Sequence, residues 1–168
     1  DVGAMQLLLT QAGLVGDGSA VDLAQTPGDI VVLSAAASDL ALLARARARL
    51  GDDVPSLRLA NLMQLSHNLS VDLYVESVIK NARLIVVRML GGVGYWTYGI
   101  EQIHAVARDK GIAFAAVPGD ETPDPELMGY STLPVEARHR LWQYCVQGGL
   151  ANAEQFLRYA AHLIGRDQ

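Results

Sequence analysis

The sequence predicts an α/β protein built on an open, mostly parallel five-stranded sheet with flanking helices, of the flavodoxin-like or Rossmann-like kind. Two further helices close the chain at its C-terminus. Three observations carry this. Short apolar runs recur along the chain, several are continuous rather than alternating, and helical periodicity fills the gaps between them. A continuous run such as Ile85-Val86-Val87 belongs to a strand covered on both faces, as in parallel sheets. Strand and helix in alternation build a doubly wound sheet.

The expected strands are residues 5–10, 29–34, 56–60, 83–90 and 112–117. Between the second and third, Ser38 stands where it can cap a helix to about Leu50, with Leu40, Leu43, Ala44 and Leu50 on its apolar face. Ser70 can cap the next helix. Val71, Val75, Val78, Ile79 and Ala82 form its stripe at i, i+4, i+7, i+8 and i+11. A third helix runs from near Thr97 to Gly111 and buries Ile100, Ile103 and Ala107. Residues 12–28 are rich in Gly, Asp, Ser and Pro, so the first crossover is expected to be irregular.

Beyond residue 120 the pattern changes. Residues 121–133, which hold Pro123 and Pro125, read as a polar loop. Pro134 suits the first turn of a helix to about Gln147, and Gly148-Gly149 stops it. Asn152 with Gln155 makes a capping-box pattern for a last helix carrying Phe156, Ala160, Leu163 and Ile164. The organisation is thus an α/β part over 5–120, the loop, and a helical part over 134–168 of the same domain. Residues 1–4 precede Met5 and read as an added remnant.

Composition narrows the function. Charged residues make up 18% and apolar residues 51%, against about 25% charged in ordinary soluble domains. Little surface charge fits an α/β domain with several fully buried strands, or a domain that covers part of its surface with something else. The net charge of −5 argues against nucleic acid, which demands clustered Lys and Arg. Arg45, Arg47 and Arg49 read as a solvated helix face. Cys145 is the single cysteine, which leaves no internal disulfide or cysteine zinc site, points to a reducing compartment, and sits in an apolar helix pattern. No apolar run reaches the roughly 18 residues of a membrane span, and no signal peptide is visible. The expected location is the cytoplasm.

In open parallel sheets, ligands sit beyond the carboxyl ends of the strands. The most unusual such segment is residues 91–99. Gly91, Gly92 and Gly94 expose backbone amides, and Tyr95, Trp96 and Tyr98 crowd three rings into four positions. Phosphate patterns fail here: Thr97 occupies the last glycine position of Gly-x-Gly-x-x-Gly, and Ile100 stands where a P-loop needs Lys. The rings can form a flat wall for a planar ligand, or cover the sheet end and anchor the helix. His67, in the loop after the third strand, can be a ligand or a cap. His104, His139 and His162 have no partner at metal spacing, and no metal site is expected within the chain. Asp72 and Glu76 read as helix surface charges, and Asp120, Glu121, Asp124 and Glu126 as a solvated acidic loop. Ser34 follows a strand without a nucleophile elbow. No catalytic residue is identified.

Taken in order, several segments resemble the N-terminal domain of the CobN-type large subunit of aerobic cobaltochelatase, itself related to the H subunit of magnesium chelatase. They are Asp22-Leu23-Ala24-Gln25-Thr26-Pro27-Gly28-Asp29 followed by residues 30–34, Pro55-Ser56-Leu57-Arg58-Leu59-Ala60-Asn61-Leu62, Ser70-Val71-Asp72-Leu73-Tyr74-Val75, residues 84–98, Pro118-Gly119-Asp120 with Pro123-Asp124-Pro125, and Gly148-Gly149 before Asn152. Asn68-Leu69 departs from the family pattern. The resemblance implies a ligase that forms nitrogen–metal bonds, inserting cobalt into hydrogenobyrinic acid a,c-diamide in cobalamin biosynthesis. It implies CobS/CobT-type ATPase subunits and the remainder of the large subunit as partners, and the corrinoid precursor as ligand. Cobalt and ATP then belong to the whole complex, with no cofactor held in this fragment, which alone would be inactive. With the ligand that the resemblance implies, the sheet-end residues Gly91, Gly92, Gly94, Tyr95, Trp96, Tyr98 and His67 become the candidate tetrapyrrole-facing set. Two other readings are a free-standing flavodoxin-like nucleotide or flavin module, and a docking domain of the chelatase without ligand contact.

Overall fold

A computed structural model describes residues 20 and 22–165. The expected strand at 5–10 and most of the first crossover lie outside the described residues. Within them the sheet has four strands, all parallel: β1 (Ile30–Ser34), β2 (Leu57–Asn61), β3 (Leu84–Met89) and β4 (Ala113–Pro118), in the order β2-β1-β3-β4. Six α-helices accompany them: α1 (Ala37–Leu50), α2 (Asn68–Ser77), α3 (Thr97–Lys110), α4 (Pro125–Met128), α5 (Val135–Gln147) and α6 (Gly149–Leu163).

The strand order explains the layering. The chain steps outward from β1 to β2, then returns past β1 to β3 and β4. With right-handed crossovers this reversal sends α1 to one face and α2 and α3 to the other. The core divides accordingly. Val31, Leu33, Ile85, Val87, Phe114 and Ala116 meet Val71, Tyr74, Trp96, Ile100 and Ile103 on the α2/α3 face. Ile30, Val32, Leu84, Val86, Ala115 and Val117 meet Leu43, Ala46, Leu141, Phe156 and Leu157 on the face of α1, α5 and α6. The two-residue period of a strand divides each run this way, and it is why β1 and β3 are buried throughout.

Helix ends show where local chemistry departed from expectation. α1 buries Ala46, not Ala44, and starts after Ala36 without a side-chain cap, so Ser38 caps nothing. α2 is capped by His67, whose Nδ1 accepts from the Leu69 amide at 3.1 Å, so Ser70 falls inside the first turn and is buried. The apolar stripe of α2 passes through a 3-10 turn at Ile79–Asn81. Asp124 caps α4 within the expected loop: its Oδ1 accepts from Leu127, and Leu127 plugs the core. α6 begins at Gly149, because Gly148 and Gly149 adopt φ of 69° and 83° and turn the chain at once. Asn152 is therefore not a cap, and its amide donates to the Gly148 carbonyl instead. Arg47 and Arg49 are tied down as well. Arg47 bonds the carbonyls of Pro55 and Gly51, and Arg49 pairs with Glu154 on α6.

The outer edge of β4 is closed by side chains. The Phe114 amide donates to Thr132 Oγ1 and the Ala116 amide to Ser131 Oγ, while Thr132 Oγ1 donates to the Ile112 carbonyl. Thr132 and Leu133 amides return to the Phe114 carbonyl.

Gly99 marks the tightest packing on the α2/α3 face. A Cβ there would lie 2.1 Å from the buried Trp96 ring, which cannot swing away, because its Nε1 donates to the Leu65 carbonyl. Gly99→Ala is expected to cost about 2 kcal/mol despite the better helix propensity of alanine. Gly94→Ala meets open space and is expected to be neutral; urea unfolding of the two variants checks the contrast.

Candidate functional site

The switch point of this sheet lies between β1 and β3, where the chain direction reverses. Each strand carries a polar residue there on the same rung, Ser34 as the last residue of β1 and Arg88 as the penultimate residue of β3, and the two pair in register. Alternation puts both on the α1/α5/α6 face. Arg88 is only 8% exposed, and two neighbouring elements hold it. Its Nε donates to the Pro118 carbonyl on β4 at 3.1 Å, and its Nη1 to Asp39 Oδ2 at 2.9 Å. Asp39 sits in the first turn of α1, where the helix dipole favours a carboxylate. The same Oδ2 accepts from Ser34 Oγ at 2.9 Å, and Ser34 Oγ accepts from the Ala36 amide.

Beside this network is a cavity of about 70 Å3, walled by Val32, Leu43, Val86, Phe156 and Ala153 and reached by Arg88, Asp39, Ser34 and Cys145. A volume on this measure of about 10–15 Å3 holds one water, so the cavity takes a small molecule and no macrocycle. Burial pushes the Cys145 thiol up to about 11. Arg88 pulls it slightly down and Asp39 slightly up. Ser34 has no histidine partner, and its hydroxyl is committed to Asp39. The sequence reading passed over this constellation. Its signal was there: polar Ser34 and Arg88 at or next to the ends of two apolar strands, with Asp39 in the first turn of the helix after the first.

The glycine-aromatic loop lies at the same end of the sheet, and its rings have separate fates. Trp96 is 8% exposed and belongs to the core. The Tyr98 hydroxyl donates to Asp72 Oδ1 at 2.6 Å, and that bond raises its pKa. Tyr95 is 82% exposed. Its ring lies so close to Gly91 that a Cβ there would approach it to 2.7 Å, and Gly91 also has φ of 89°. Gly92 shares that φ and faces the Asp124 carboxylate, while Gly94 borders open space. His67 is exposed and spends Nδ1 on its cap. The described residues expose six large apolar side chains. Met63, Leu69, Leu73, Leu90 and Tyr95 all sit in or just after the loops following β2 and β3; only Val135 lies elsewhere.

The other candidates are structural. His104 Nδ1 lies 2.7 Å from the Tyr130 carbonyl, and His139 meets Trp142 edge to face. Glu76 pairs with Lys80, and Asp120 caps a turn at Thr122. Among the described residues no group of three or more His, Cys, Asp or Glu could hold a metal ion, and no helix is long and apolar enough to cross a membrane.

No protein-family model matches the chain. Individual relatives do. The chain is 53% identical over 165 residues to the aerobic cobaltochelatase subunit CobN of Pseudomonas aeruginosa, covering 97% of this chain and 13% of that protein. It is 49% identical over 161 residues to the aerobic cobaltochelatase subunit CobN of a Sinorhizobium species, covering 95% of this chain and 12% of that protein. Among solved structures, the catalytic subunit of cobaltochelatase from Mycobacterium tuberculosis matches with a TM-score of 0.60 and 25% identity, over 79% of this chain and 10% of that one. Fold and similarity together define a parallel α/β segment of a chelatase subunit. The family to which the chain belongs is that of the CobN subunits of aerobic cobaltochelatase, and it spans about one eighth of the length of the relatives it matches.

Two outcomes follow from the Arg88 network. Arg88→Met removes the only ion-pair partner of Asp39 among the described residues and leaves the Pro118 carbonyl without its donor. The expected loss is about 3 kcal/mol by urea unfolding. For Cys145, the folded thiol ionises near 11 and the unfolded one near 9.0. Its contribution is therefore complete below pH 9 and fades as pH rises toward 11, where the unfolded chain sheds its proton first. Between those values Cys145→Ala should lose less stability with rising pH than the unmodified chain.

Proposed function

We propose that this chain is the N-terminal domain of a cobaltochelatase large subunit, and that it serves cobalt insertion into hydrogenobyrinic acid a,c-diamide in cobalamin biosynthesis. The observation that carries this is 53% identity along 97% of the chain to a CobN subunit. Cobalt, ATP and the corrinoid are substrates of the complete assembly, with CobS/CobT-type ATPase subunits supplying the hydrolysis. The fragment itself holds neither metal nor nucleotide and is inactive alone. The assembly works in the cytoplasm.

Within that assembly the loop end of the sheet is the tetrapyrrole-facing part. Gly91 and Gly92 shape the loop, and Tyr95 offers the one exposed ring of its aromatic trio, with His67 exposed on the neighbouring loop. Trp96 and Tyr98 support that surface from beneath through Leu65 and Asp72. Gly94 keeps its side of the loop clear of side-chain bulk.

The test uses the complete large subunit. Tyr95→Ala is expected to weaken binding of the corrinoid about tenfold, the worth of one stacked ring, with the unfolding midpoint unchanged. Trp96→Ala should instead lower stability by about 3 kcal/mol, the usual loss for a buried aromatic. If Tyr95→Ala leaves both corrinoid affinity and chelation rate intact, the domain only docks against its neighbours.

A further inference from the structure

We infer that the cavity at the β1–β3 switch point is a binding site for a small uncharged ligand bearing a carboxamide on a branched apolar stem. It does not rest on the tetrapyrrole reading of the loop end. Four features select the ligand. A volume of about 70 Å3 admits a group of a few heavy atoms and excludes a flavin, a nucleotide or a tetrapyrrole. Arg88 and Asp39 are bonded to each other, so their charges cancel. A bare anion would meet Asp39 as well as Arg88, and a cation the reverse.

The third feature is the pattern of hydrogen bonding left over. A guanidinium carries five N–H donors. Arg88 spends one on Pro118 and one on Asp39, and the rest have no acceptor among the described residues. Asp39 uses Oδ2 for both Ser34 and Arg88; Oδ1 has no donor among the described residues. Donor and acceptor thus stand side by side at the cavity. A carboxamide answers both at once, its oxygen to the guanidinium and its NH2 to the carboxylate. Fourth, the opposite walls are apolar: Val32, Leu43, Val86 and Phe156 surround the stem. Arg88 is held in place by Pro118 and Asp39, so a carboxamide oxygen meets an already oriented guanidinium and forms a charge-assisted bond to it.

The experiment titrates the 15N-labelled chain with three molecules of one shape: isobutyramide, isobutyrate and isobutanol. Isobutyramide should produce saturable shifts at the Gly149 and Ala153 amides and the Arg88 Nε–H, with a Kd on the order of millimolar for so small a ligand. The carboxylate and the alcohol should not saturate over the same range. Asp39→Asn keeps the shape and replaces an acceptor with a donor; it should weaken amide binding about tenfold. Ala153→Val narrows the cavity without touching the polar groups and should also weaken it, which covers the case of an Asp39 variant that fails to fold. Equal shifts from isobutanol, tighter binding of isobutyrate, or no saturable shift with the amide would each overturn the assignment.

Discussion

A guanidinium buried at the end of a parallel sheet is the constraint around which this domain is arranged. Arg88 cannot leave water without partners. Its partners come from β4, through Pro118, and from α1, through Asp39, which in turn holds Ser34 of β1. One side chain therefore ties three adjacent strands to the helix that follows the first of them. The rung on which Ser34 and Arg88 meet is where β1 and β3 stop being purely apolar. Every side chain of β1 and β3 below it is packed between helices.

The two faces of the sheet have different tasks. On the α2/α3 side the packing is dense up to the loop end, with Trp96 locked between Gly99 and Leu65. Above that packing the loop presents Tyr95 to solvent. On the α1/α5/α6 side, Gly148 and Gly149 turn the chain so tightly that α6 comes back against α1. A small cavity is left where α6, α1 and the sheet converge. One sheet end thus carries an aromatic surface over a filled core and, across the strands, a polar notch over an apolar one.

Much of this was legible in the sequence. Continuous runs such as Ile85-Val86-Val87 read as interior strands, and the stripes of α2 and α3 read as faces turned to the sheet. What escaped was decided by geometry between distant residues. His67 rather than Ser70 caps the helix, its ring nitrogen accepting from the Leu69 amide. Asp124 and Pro125 nucleated a turn of helix because Leu127 had a core socket to fill, which no local pattern reveals. In the aromatic trio, residue type alone could not say which ring was buried; the open space left by Gly99 settled that for Trp96. The Ser34–Asp39–Arg88 group needed the register of β1 on β3, and register is absent from a list of runs.

The closed edge of β4 has a consequence for assembly. Ser131 and Thr132 occupy the amides that a further strand would use, much as a hem keeps cloth from being sewn on. On the opposite side, Gln25 Nε2 donates to the Leu59 carbonyl, and Arg58 reaches Thr26 and Pro27. A neighbour that joins this domain at the β4 side must meet side chains rather than extend the sheet. Recognition there depends on shape and residue identity, which evolution can tune, and not on the indiscriminate hydrogen bonding of bare backbone.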